Sequence, residues 1–278
     1  MASKAVAKQE EKKLPATGMD MSMFMGQPSG LENVKTSDLL IPRLTILQTN
    51  SPQVTMGKPE YNEKFKPAMI YDTGLGDFWT PTIEFLPVHF VKQWIEWHPR
   101  ESGKGIANIF EDDAIMAQTT EDAMGRDVLP NGNYIAETAQ IFGLNLSAKG
   151  RASYIGMTST QLKKSRRWLT LATSEEVEGP GGQIFTPPFF YRSYTLGVVP
   201  ENNAKGNWIG WTIERSKSIP EMAEEGEEAA VRLYERAKKF KASLDAGEAK
   251  ADTSTLSEEA GAASGGARRG SADHGQEM

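Results

Sequence analysis

Runs of β-branched and aromatic residues, each cut short by Gly, Pro, Asn or Asp, succeed one another along the middle of the chain, and this pattern restricts its fold more than any other feature. They cover residues 67–71, 82–97, 106–110, 134–146, 152–157, 189–199 and 208–214. Pro130-Asn131-Gly132-Asn133 has the chemistry of a turn, and so has the stretch from Pro200 to Asn207, which makes the last two strands a hairpin with a long polar loop. Ahead of them Leu39-Leu40-Ile41-Pro42-Arg43-Leu44 is apolar enough to open a folded core, while Pro42 forbids a central strand at that point.

Two segments break the strand period. Between Ser159 and Ala172, Leu162, Leu169 and Ala172 recur at helical spacing behind a possible cap at Thr158 or Ser159. From Pro220 to about Ala246 a second helix is expected, with proline in its first turn, glutamates early and lysines and arginines late, as the helix dipole favours. Short strands in number with one helix among them are the inventory of a small barrel of the OB type. The expected fold class is therefore mainly β (α+β): an OB-like small barrel with one inserted helix, a C-terminal helix and disordered termini.

The chain divides accordingly into a disordered arm over 1–36, a β-rich core over 37–218, a helix over 219–247 and a disordered tail over 248–278. Both ends are poor in large apolar residues other than methionine and cannot repay the entropy of ordering. The 278 residues contain no cysteine, which removes disulfides, thiolate metal sites and cysteine nucleophiles together. No stretch has the apolar length of a signal peptide or a membrane span, so the protein is expected in the cytoplasm where it is made.

A net charge of −6 argues at first against a polyanionic partner, but the charge is segregated. Residues 138–218 hold ten Lys and Arg against five Asp and Glu, and acidic flanks lie on either side. Within this basic island Gln161-Leu162-Lys163-Lys164-Ser165-Arg166-Arg167-Trp168 is the leading candidate for chemistry. On a helix Lys163 and Arg167 stand four apart, as do Lys164 and Trp168, so a cationic face can carry an indole beside it. Phosphates need mobile cations and unstacked bases need flat π surfaces. The alternative is a solvated helix face with Trp168 in the core.

A second group comprises Phe189, Phe190, Tyr191, Arg192 and Tyr194, facing Trp208 and Trp211 on the hairpin partner. Alternation puts Phe190, Arg192 and Tyr194 on one face, taken as the open one because buried arginine is rare unless paired. Trp94 and Trp97, beside Lys92 and Arg100, add rings and charge, with packing the expected role for at least one.

Signs of catalysis are sparse. The loop Arg100-Glu101-Ser102-Gly103-Lys104-Gly105 lacks the full phosphate-loop pattern, and the histidines, His89, His98 and His274, form no metal-binding spacing. Glu111, Asp112 and Asp113 read as an acidic turn before they read as a magnesium site for a nuclease. No enzyme and no cofactor is expected.

The run Ile155-Gly156-Met157-Thr158-Ser159-Thr160 leading into the basic segment, with Phe185-Thr186-Pro187-Pro188-Phe189-Phe190 and Gly206-Asn207-Trp208-Ile209-Gly210-Trp211, resembles a group of tailed-bacteriophage single-stranded DNA-binding proteins. The likeness runs intermittently over residues 39–216 and leaves out both termini. It implies a sequence-tolerant binder of single-stranded DNA in phage replication or recombination, with phage replication or recombination proteins as further partners, a possible homo-oligomer and no membrane. The residues assigned to DNA are Lys163, Lys164, Arg166, Arg167 and Arg192 for phosphates and Trp168, Tyr194 and Trp211 for stacking. The competing reading is a phage structural or assembly protein without enzymatic activity.

Overall fold

The computed structural model describes residues 30–34, 38–203 and 206–251. The expected arm over 1–36 and the expected tail over 248–278 lie almost wholly outside them. The main strands are β1 (Leu44–Ile46), β2 (Ile70–Asp72), β3 (Phe78–Trp79), β4 (Thr82–Trp97), β5 (Ile106–Phe110), β6 (Tyr134–Asn145), β7 (Arg151–Thr158), β8 (Arg192–Asn203) and β9 (Gly206–Ser218). Helix α1 (Leu162–Thr173) follows β7, and α2 (Ile219–Asp245) follows β9. The mainly β class is what the strand pattern predicts.

One antiparallel sheet organises the molecule and curls into a half-barrel in the order β9, β8, β4, β6, β7. The long strand β4 is its spine, pairing with β6 from Phe85↔Asn145 to Trp97↔Tyr134, and with β8 from Thr82↔Gly197 to Phe85↔Tyr194. β1 crosses the gap between the two ends. Arg43 makes a parallel bridge to Tyr154 on β7, and the Gln48 amide grips the Ile209 peptide of β9, accepting from its N–H at 2.8 Å and donating to its C=O at 3.0 Å. The seam is thus joined by a side chain that imitates a strand.

Alternate residues of these strands fill the interior: Leu44 and Ile46, Ile83 and Phe85, Ala139 and Ile141, Ile155 and Met157, Tyr194 and Leu196, Trp211 and Ile213. Their period of two is the geometry of a strand with one face turned inward. Helix α1 closes this core by adding Leu162 and Trp168. The outer face of the same sheet is apolar as well, with Leu86, Val88, Phe142, Leu144 and Tyr154 beneath Ala237 and Phe240 of α2. A sheet buried on both faces needs a covering element, and α2 is that element.

Beyond the barrel, β4 and β6 continue as a two-sided arm with β5. Ile95, Trp97 and Tyr134 pack on one face, and Trp94, Leu129 and Ile135 on the other. Glu96 is only 3% exposed here, and its carboxylate accepts amide hydrogens from Asn108 at 2.6 Å, Asn131 at 3.0 Å and Asn133 at 2.5 Å.

Several local expectations are corrected. Residues 189–191 form a 3₁₀ turn before β8. The hairpin expected to carry a long polar loop pairs through Glu201↔Trp208 to Asn203↔Gly206, so the ladder takes in most of the polar stretch. Ser218, two residues before Pro220, caps α2 in a capping box with Glu221.

Candidate nucleic-acid interface

Helix α1 is positioned from its first turn. Gln161 accepts the Trp211 backbone N–H at 3.0 Å and donates to Glu201 at 3.0 Å, tying the helix start to β9 and β8. At the other end Arg215 donates to the Leu171 carbonyl, and to the Ser174 hydroxyl at 3.1 Å, placing a cation where the helix dipole is negative. Leu162, Ser165 and Trp168, three apart, are the buried stripe. Everything else about the helix follows from that stripe.

Lys163, Arg166 and Arg167 fall on the solvent side and are exposed. Lys163 and Arg167 have no ion pair among the described residues, while Arg166 stands 3.6 Å from Glu137 on β6. Glu137 also meets Lys92 of β4 at 3.2 Å, and the Lys92 ammonium lies 4.7 Å from the Trp94 ring centre. Lys164 is half-buried and spends its charge on Glu201 at 2.9 Å. Burial is the largest influence on Glu201 and pushes its pKa up, but hydrogen bonds from Lys164, Gln161 and Trp208 outweigh it and hold the carboxyl below its usual range. The pair therefore stays ionised, and Lys164 is partly neutralised where it sits.

The stacking residues expected from the sequence are elsewhere. Trp168 is wholly enclosed, with Tyr194, Phe85 and Phe189 around it at ring separations of 5.4, 6.0 and 6.2 Å. Tyr194 and Trp211 are 1% and 4% exposed in the same core. None of these rings presents a face to solvent, so the stacking role expected of Trp168, Tyr194 and Trp211 is corrected to packing. Trp94 and Trp97 are buried too.

Arg192 is also corrected. The structure leaves it half-buried and paired, which is the exception that its assignment to the open face passed over. Its guanidinium meets Glu175 at 2.7 and 2.8 Å, Glu221 at 3.1 Å and the Ser216 carbonyl at 2.5 Å. Burial alone would lower its pKa, but the two carboxylates outweigh burial and raise it. It joins the segment after α1 to the first turn of α2, and its donors are already taken.

The structure thus brings together Lys163, Lys164, Arg166 and Arg167, adds Lys92, and gives none of them an exposed ring face to work beside. Lys92 was legible as a charge beside Trp94; its meeting with Arg166 through Glu137 joins residues on three separate elements and left no local signal. Among the described residues no group of three His, Asp or Glu side chains is placed to hold a metal ion, and Glu111, Asp112 and Asp113 are exposed. No helix among them is long and apolar enough to cross a membrane.

These features define a mainly β protein in which a basic helical face overlies a closed apolar interior. The family model of Pam3 phage gp34-like proteins matches residues 8–250, and the chain belongs to that phage family. No curated protein and no solved structure matches the chain.

Proposed function

We propose that this phage protein binds single-stranded DNA without sequence preference, with the outer face of α1 as the phosphate-binding surface. The observation that carries the reading is the exposure of Lys163, Arg166 and Arg167 on one side of a helix whose other side is anchored in the core. Cations held on a rigid element suit a flexible polyanion. The strand order adds support: β4 lies between β6 and β8, and a helix joins the third barrel strand, β7, to the fourth, β8, as in an OB-fold. In this reading the protein works in the host cytoplasm on strands exposed during phage replication or recombination, without catalysis or a cofactor.

The test is affinity for poly-dT across salt. If the three exposed α1 cations each neutralise a phosphate, log affinity falls with log salt at a slope of about −2. Changing Lys163, Arg166 and Arg167 together to Ala should flatten that slope and weaken binding while the melting temperature stays nearly the same, since exposed ion pairs contribute roughly 0–1 kcal/mol each. Equal binding by the folded variant would remove α1 from the site. A structural or assembly role draws support from the enclosure of Trp168, Tyr194 and Trp211, and absence of DNA binding at low salt together with presence in purified virions would favour it.

A further inference from the structure

If the rings of the core cannot stack on bases, a single-strand binder needs other exposed rings near cations, and one cleft among the described residues supplies both. It lies between the β2–β3 turn and the β6–β7 turn, has a volume of about 420 Å³, and is lined by Gly76, Asp77, Phe78, Trp79, Lys149 and Arg151, with Ser147 and Ala148 between the last turn's strands. That volume is within the range of small-molecule sites. Phe78 is 41% exposed and Trp79 partly so. An edge contact with Phe65, at 5.5 Å between ring centres, holds the Phe78 ring in place.

The cationic side of the cleft is built. Arg151 is held through one nitrogen, Nη1, by Asp77 at 2.7 Å and by the fully buried Asp72 at 3.3 Å. Asp72 in turn accepts the backbone N–H groups of Gly74 and Leu75 at 2.8 and 3.1 Å, which fixes the turn that presents Phe78. Two carboxylates thus match the Arg151 charge, and its Nε and Nη2 have no hydrogen-bond partner among the described residues. Lys149 is exposed and has no ion pair among the described residues. Its left-handed backbone, φ 56°, and the bond from Arg236 to its carbonyl at 3.0 Å set the turn, and the ammonium takes no part in either.

Resting on the single-strand reading above, we propose that this cleft holds one nucleotide of the bound DNA, its base against Phe78 and its phosphate on Lys149 beside Arg151. The cleft is a second contact point, since β7 carries the chain roughly 25 Å from Arg151 to the start of α1.

Saturation-transfer NMR with dTMP at millimolar concentration tests the cleft alone. The expected result is binding by the wild-type chain, weakened about tenfold by Phe78→Ala and by Lys149→Asn, the latter chosen because asparagine accepts the left-handed backbone. The α1 variant lacking Lys163, Arg166 and Arg167 should bind dTMP like wild type while losing affinity for poly-dT. No dTMP binding, or equal binding by both cleft variants with wild-type melting curves, overturns the inference and leaves α1 untouched. Failure of the underlying reading shows differently, as no binding of poly-dT by the wild-type chain at low salt, and removes DNA as the source of the nucleotide.

Discussion

At the scale of single residues, Trp168 and Glu96 show how burial reassigns a side chain. Trp168 shares a helix turn with Lys164, and the pairing of an indole with lysine suggests a DNA contact; its enclosure by Phe85, Phe189 and Tyr194 makes it core. Replacing it with Ala should cost about 3–5 kcal/mol in denaturant unfolding, while Phe should recover part of the loss. A variant as stable as wild type but deficient in DNA binding would restore the surface role. Glu96 is the opposite case, a charge in the interior. Burial has the largest effect and pushes its pKa up, yet the amides of Asn108, Asn133 and Asn131 together prevail and hold it below the usual carboxylate range. The sign follows: a carboxyl with a lowered folded pKa contributes stability that is present above its unfolded value and is lost as pH falls through the folded one. Glu96→Gln should therefore be less stable by roughly 1–3 kcal/mol at neutral pH, and the gap should narrow only on acidification below the ordinary carboxylate range, as followed by thermal melts across pH.

At the scale of elements, the seam between β7 and β9 is the distinctive construction. Two glutamines stand in for a strand ladder, Gln48 on the Ile209 peptide and Gln161 on the Trp211 N–H, two residues further along the same edge. That spacing matches the period at which a strand presents backbone groups to one side. Gln48→Ala should leave the Ile209 N–H and C=O without partners, cost roughly 1–2 kcal/mol, and speed amide hydrogen exchange at Ile209 more than at positions inside the β8–β9 ladder. Unchanged protection at Ile209 would mean that the seam is held by apolar packing alone. The helices were legible because amphipathic spacing and capping are local properties: Leu162 in the first turn of α1 and Pro220 in that of α2 mark them in the chain. The 3₁₀ turn at residues 189–191 was not, since aromatic residues fit both a strand and a tight turn, and only the packing of Phe190 against the outer core separates the two.

For the molecule as a whole, the sheet is covered on both faces, and α2 is the outer cover. Its removal would expose Leu86, Phe142, Leu144 and Tyr154, each worth about 1.5–3 kcal/mol when buried. A chain ending at Ser218 should consequently aggregate or bind a hydrophobic dye. If it instead melts cooperatively as a soluble monomer, α2 is an appendage and the helix can be counted as a separate unit. The charge segregation also takes its meaning at this scale. Of the basic residues in the central stretch, Lys164 and Arg192 meet glutamates, and Arg151 meets Asp72 and Asp77. The positive surface that remains is smaller than the residue count suggests and lies on α1 and, apart from it, at Lys149.

The amino-acid sequence by itself determined the β class, the two helices and the α1 cations, because periodicity, turn chemistry and charge are properties of neighbours along the chain. Only the tertiary structure decided that Trp168, Tyr194 and Trp211 are interior, that Arg192 is an internal tie, and that Phe78, Trp79, Lys149 and Arg151 line one cleft. The physical reason is common to all of these. Whether a ring is covered or a charge is matched depends on what the folded sheet brings across from a distant segment, and that partner leaves no mark on the residues beside it.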